Sequence, residues 1–236
     1  RERYGPVALV TGASSGIGWA FAEELAKRGF DLALTARRVD RLEELAAQLS
    51  RDHGVQSHVI GADLTDHAAP ATILEQTQGL DIGLVVSNAG FNMKGVYETK
   101  SASSLTKLLM VNCYAPMQLV HGFLPRLKAR GKGGIIFTSS IEGLIGGPYS
   151  AAYSASKSLV NALAEGLWGE LAGTGVDVLS LCPGATESEA TLQRGINGQP
   201  MQNLQPAHEV ACRGLDGIAD GRILIPNDSY AAMFDD

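Results

Sequence analysis

The most constraining stretch of this chain is Thr11-Gly12-Ala13-Ser14-Ser15-Gly16-Ile17-Gly18, set between a short apolar run and an amphipathic one. Such a turn commits the chain to a strand feeding directly into a helix. Glycine at Gly12 permits a tight turn, at Gly16 lets the backbone approach a pyrophosphate, and at Gly18 allows the helix to pack closely on the strand. The helix start then offers free amides and a positive dipole end. Gly12, Ser14, Ser15, Gly16, Ile17 and Gly18 are therefore candidates for holding the phosphates of a dinucleotide. The spacing is GxxxGxG and not GxGxxG, so by itself it also suits a plain strand-to-helix connection.

The pattern continues along the chain. Apolar runs at 7–11, 31–35, 56–61, 82–87, 134–139, 177–181 and 223–225 read as strands buried on both faces, with predicted helices at 17–28, 41–51, 67–78, 103–130, 152–173 and 206–219. This alternation predicts an α/β, doubly wound parallel sheet of about seven strands, with helices on both faces. No repeat, linker or composition break divides residues 1–236, so a single domain combining dinucleotide binding and catalysis is expected. The longest irregular connection, 185–205, follows a strand and is expected to form a substrate loop that closes over the site.

Composition excludes several functions. Glycine numbers 28 of 236, about 12% against roughly 7% on average, so bare backbone is needed in many places. With 19 basic and 25 acidic side chains the net charge is −6 and no basic tract occurs, which argues against nucleic-acid binding. No run of 18 apolar residues exists, so no membrane span is expected. Cys113, Cys182 and Cys212 are sparse and lack metal-ligand spacing; they fit a reducing, cytoplasmic setting with no disulfide framework and no bound metal. The start is read as a first strand and not as a signal peptide.

The second predicted strand ends Thr35-Ala36-Arg37-Arg38. Dinucleotide folds that select NAD place an acid here for the ribose 2′-hydroxyl. Ala36 replaces it, and Arg37 and Arg38 would meet a 2′-phosphate with positive charge, which favours NADP(H). The other reading makes both arginines the start of an exposed helix. Asp63 and Leu64 end the third strand, and Asn88, Ala89 and Gly90 follow the fourth, at the same sheet edge. They can meet adenine and ribose, or serve as turn residues.

Tyr153 and Lys157 lie four apart at the start of a predicted helix, hence on one face. A phenol of pKa about 10 exchanges protons poorly at neutral pH, and the Lys157 ammonium is expected to lower it. Ser140 ends the fifth strand, where its hydroxyl can donate to a substrate oxygen as charge develops. Asn112 sits mid-helix, where its propensity is poor; it anchors a water chain to Lys157 or marks a kink near Pro116.

Together, the stretch 11–18, Asp63, Asn88-Ala89-Gly90, Asn112, Ser140, Tyr153-xxx-Lys157 and Pro183-Gly184 resemble the short-chain dehydrogenase/reductase family over nearly the whole chain. The resemblance implies a catalytic tetrad of Asn112, Ser140, Tyr153 and Lys157. In it Tyr153 is the acid/base, Ser140 positions the substrate oxygen, Lys157 holds the nicotinamide ribose and tunes Tyr153, and Asn112 supports a proton relay. It also implies that Pro183, Gly184 and Thr186 border the nicotinamide, although Ser188 competes with Thr186 for that place. Ser87 departs from the family's usual Asn before Asn-Ala-Gly, and the chain ends soon after its last strand, so part of the pocket or interface is expected to be short.

The expected activity is reversible hydride transfer between NADP(H) and a small-molecule carbonyl or alcohol, with a non-catalytic NADP(H) sensor or scaffold as the alternative. Loss of a tetrad residue would mark the alternative, and none is lost. Ser140, Ile141, Glu142, Tyr149, Tyr153 and the loop 186–204 are expected to line the substrate pocket, with Glu142 either a polar selector or merely solvated. Apolar residues beyond one sheet-facing stripe (Leu105, Leu108, Leu109; Leu159, Leu163, Leu167, Trp168) predict a homodimer or homotetramer.

Overall fold

The computed structural model describes residues 1–189 and 204–234. Seven strands form one sheet: β1 (Val7–Thr11), β2 (Asp31–Ala36), β3 (Ser57–Gly61), β4 (Ile82–Ser87), β5 (Gly133–Thr138), β6 (Val176–Leu181) and β7 (Ile223–Leu224). Every pairing is parallel, in the order β3-β2-β1-β4-β5-β6-β7. The order reverses between β1 and β4, and such a reversal opens a crevice at the carboxyl ends of the strands.

The strands are apolar throughout because both faces are covered. In β1, Ala8 and Val10 face one layer while Val7 and Leu9 face the other. The first layer joins Phe21 and Leu25 of α1 (Gly16–Lys27), Leu42, Leu45 and Leu49 of α2 (Val39–His53), and Val210 of α7 (Ala207–Asp216). The second joins Ile73 of α3 (Ala69–Gln76), Phe123 and Leu127 of α5 (Ala115–Arg130), and Val160 and Ala164 of α6 (Ala151–Glu170). Each large apolar side chain so enclosed contributes about 1.5–3 kcal/mol.

The predicted helix 103–130 is three pieces: α4 (Ala102–Leu109), one π-helical turn (Met110–Tyr114) and α5. The backbone accommodates one extra residue around Asn112 where a kink was the alternative. Three short elements among the described residues escaped the periodicity: 3-10 turns at Tyr97–Thr99 and Ile141–Gly143 and the four-residue α8 (Asp228–Ala231). At the amino edge of the sheet, Arg3 and Tyr4 both bind Asp177, while Arg130 binds Asp81 and the Gly5 carbonyl. Among the described residues, no helix is long and apolar enough to cross a membrane.

Candidate active site

A cleft of about 830 Å3 opens along the carboxyl ends of the strands, from the glycine turn to Tyr153 and Lys157. Its first wall is the turn after β1. Gly12 sits at φ +69°, and its amide donates to the Thr35 carbonyl at 2.8 Å. A Cβ on Gly18 would strike the Gly12 carbonyl and come within 2.5 Å of Asn88 Nδ2. Ser15, extended at φ −171°, precedes α1 and caps it with no side-chain hydrogen bond, so the first amides of the helix face the cleft without an internal acceptor.

Asn88 works mainly as a clasp. Its amide and that of Ala89 both donate to Thr11 Oγ1 at 2.9 Å, and Nδ2 donates to the Thr11 carbonyl at 3.0 Å. The loop after β4 is thereby locked to the glycine turn. Asp63 accepts from the Thr65 amide at 3.0 Å and hydroxyl at 2.9 Å, and the amide bond holds its carboxyl below the usual range. Asp63 and Leu64 both line the cleft.

The two arginines part ways. Arg37 is exposed on the Asp63 side of the cleft, whereas Arg38, just before α2, folds back on the glycine turn. Its Nη2 donates to Ser15 Oγ at 2.8 Å and Ser14 Oγ at 3.2 Å, while Nη1 donates to Glu189 Oε2 at 2.7 Å. The cationic fork thus stands beside β2, where Ala36 leaves the acid's place empty. These residues fit an NADP(H)-type nucleotide: Arg37, Arg38 and Ser14 would hold the 2′-phosphate end, and the amides of residues 16–18 the pyrophosphate.

At the other end Ser140, Tyr153 and Lys157 converge on the cleft, with Asn112 buried beside Gly90 and outside the cleft lining. Ser140 ends the extended segment after β5, where its Oγ accepts from the Glu142 amide at 3.1 Å and caps the 3-10 turn. Tyr153 and Lys157 project from the first turns of α6, with Lys157 Nζ 5.8 Å from the phenol ring centre and donating to the Thr138 carbonyl at 2.7 Å. Burial drives the Tyr153 phenol up to about 12, outweighing the Ser140 hydrogen bond that lowers it. Burial also drives Lys157 down to about 8. Desolvation is the largest influence on the phenol, and Lys157 is not among the groups that lower it.

Asn112 is fully enclosed by partners. Its Oδ1 accepts from the Phe91 amide at 3.0 Å, and Nδ2 donates to the Phe91 carbonyl at 3.1 Å and Ser156 Oγ at 3.0 Å. A Cβ on Gly90 would lie 3.3 Å from both Asn112 Oδ1 and Lys157 Nζ, so the bare glycine keeps the space between amide and ammonium open. Pro183, Gly184 and Thr186 line the cleft, and so does Ser188, beside Gly16.

Not every expected residue joins the site. Tyr149 is a correction: the residue is 67% exposed and lies outside the cleft lining, on a backbone at φ +61°. Glu142 is neither free nor simply solvated, since both its oxygens accept from Lys94 Nζ at 2.6 Å and Ser150 donates to it as well. Most of the expected substrate loop, residues 190–203, lies outside the described residues. Glu189, within the expected loop, does line the cleft, whereas Lys94 and Tyr230 were missed. Tyr230 of α8 lays its ring where a Gly184 side chain would go. Lys94 follows Gly90 on the same loop, which was the available signal; nothing in the pattern marked Tyr230.

The model of the short chain dehydrogenase family matches residues 6–197. The chain belongs to that family. A 7beta-hydroxysteroid dehydrogenase of Clostridium sardiniense is 36% identical over 186 residues, covering 79% of this chain and 71% of the relative. Among solved structures, the short-chain dehydrogenase from Sphingobium yanoikuyae in complex with NADPH is 34% identical, with a TM-score of 0.89 over 98% of this chain and 91% of that one. The bulky-bulky ketone specific alcohol dehydrogenase from Comamonas testosteroni is 31% identical, with a TM-score of 0.84 over 97% and 90%. As a member of this family the chain is an oxidoreductase that passes hydride between NADP(H) and a carbonyl or alcohol. The alternative of a non-catalytic sensor finds no support in these likenesses.

Proposed function

We propose that this dehydrogenase reduces a bulky, largely apolar ketone, with Tyr153 as the acid and Ser140 and Lys157 as its supports. The observation that carries the reading is the convergence of these three side chains at one end of a cleft whose other end is the glycine turn. Bound NADPH would supply the hydride. Tyr153 gives its proton to the substrate oxygen, and a phenol near 12 stays protonated for that task at neutral pH. Ser140, placed by the end of β5, donates a hydrogen bond to the same oxygen as it becomes negative. The Lys157 ammonium, oriented by the Thr138 carbonyl, holds the nicotinamide ribose and stabilises charge beside the phenol. Asn112 fixes the loop after Gly90 and keeps the approach to Lys157 in register.

Size and polarity of the substrate are read from an annex next to the cleft at Ile141, a second cavity of about 280 Å3 bordered by Ile141, Ile145, Pro148, Met233 and Phe234, with Ser150 and the Lys94–Glu142 ion pair at its polar side. An apolar body fits it, in keeping with relatives named for steroid and bulky ketone substrates. Exposed Leu109, Met117, Leu159 and Trp168 on α4, α5 and α6 support a homodimer or homotetramer, and the sparse, odd number of cysteines fits a cytoplasmic setting. A panel of cyclic and aryl ketones with NADPH, followed at the cofactor absorbance, tests the substrate class: turnover confined to small polar carbonyls overturns it. Tyr153→Phe should lower kcat by about 10²–10⁴ with the NADPH Kd within about twofold, and retained turnover removes Tyr153 from its role.

A further inference from the structure

We propose that Glu189 is a built-in competitor of the cofactor's 2′-phosphate and so a determinant of how strongly the enzyme prefers NADPH over NADH. The inference rests on the reading of Arg38 as the 2′-phosphate partner. The Arg38 guanidinium has two faces in use. Nε and Nη2 turn inward to Ser14 and Ser15, at 2.8–3.3 Å. Nη1 turns outward, and it is bound by Glu189 Oε2 at 2.7 Å. The other carboxylate oxygen, Oε1, lies 3.4 Å from Arg41 Nη2, so each oxygen meets a different arginine. Glu189 also lines the cleft.

A carboxylate and a phosphate seek the same planar N–H donors. A 2′-phosphate carries about −1.5 to −2 charge at neutral pH and cannot share Arg38 with a carboxylate without repulsion. NADPH must therefore displace Glu189 from the arginines, whereas NADH, with a hydroxyl in that position, has no need to. The pair is stable against mild acid, since the Arg38 hydrogen bond holds the Glu189 carboxyl below its ordinary range. Glu189 thus weakens NADPH selectively and narrows the preference that Arg38 creates.

The pair is partly exposed, 41% on each side, which limits the effect to about two- to fivefold. Calorimetric titration of the full chain with NADPH and NADH tests it without reference to turnover. Glu189→Gln should tighten NADPH about two- to fivefold and leave the NADH Kd within experimental error, which also reports that the variant is folded. In Arg38→Ala/Glu189→Gln, compared with Arg38→Ala, that gain should shrink toward what Arg41 alone provides. Unchanged or weaker NADPH binding in Glu189→Gln overturns the proposal, as does an equal gain for both cofactors. Arg38→Ala separates the two readings: if it leaves the NADPH to NADH ratio unchanged, the phosphate partner itself is misassigned. If it lowers that ratio while Glu189→Gln does nothing, only the competitor fails.

Discussion

Replacing Asn112 with Ala removes one acceptor and two donors from a 1% exposed position in the π-helical turn. Three hydrogen bonds are lost, two to the Phe91 peptide groups and one to Ser156 Oγ. At about 0.5–1.5 kcal/mol net apiece the sum is about 1.5–4.5 kcal/mol. Ser156 keeps its own donation to the Tyr153 carbonyl at 2.7 Å. Phe91 is 37% exposed, so water can reach part of what is freed. Both hold the cost to the lower part of that range, about 1.5–3 kcal/mol. For a domain of this size each kcal/mol moves Tm by about 2–4 °C, so thermal unfolding followed by circular dichroism should show a drop of about 3–12 °C. Asn112→Asp should lose at least as much, because its second oxygen would face the Phe91 carbonyl. A drop below about 2 °C in Asn112→Ala, with turnover nonetheless abolished, would refute the part given to Asn112 in fixing the loop after Gly90 and leave it a purely chemical task.

The alkaline limb of carbonyl reduction should follow Lys157: charged below about 8 and neutral above it, the ammonium is lost as pH rises, so kcat/KM for NADPH falls with a midpoint near 8. Lys157→Arg should remove that limb, and a midpoint at 10 or higher would contradict the assignment. Gly18→Ala drives a methyl into the Gly12 carbonyl, a backbone atom with little freedom to yield, and should cost about 1–3 kcal/mol, read as a lower Tm together with weaker NADPH binding. Light scattering at micromolar concentration should report a dimer or tetramer; a monomer refutes the role given to Leu159 and Trp168.

Much of the fold could be read from periodicity because the strands are covered on both faces. Val7 to Val10 are all apolar for the reason that alternate residues enter different layers. The glycine turn was equally legible, since Gly12 at φ +69° and the crowded Gly18 leave few other residue types possible. What escaped is set by contacts between distant segments. Arg37 and Arg38 look alike in sequence, and only the direction of the chain entering α2 sends one back to Ser14 and the other outward. Tyr149 and Tyr230 have no local pattern to separate them, yet the first is exposed and the second packs on Gly184. The adjacency of Tyr153 to a lysine is visible in a sequence, whereas the desolvation of its phenol is not.

The ion pairs at the amino edge have a practical side. Arg3, Tyr4, Asp177, Arg130 and Asp81 brace the rim opposite the one that carries the chemistry. A protein anchored to a solid support through side chains on that braced rim would present its opening outward, and its mouth would stay accessible to large reactants in a packed bed.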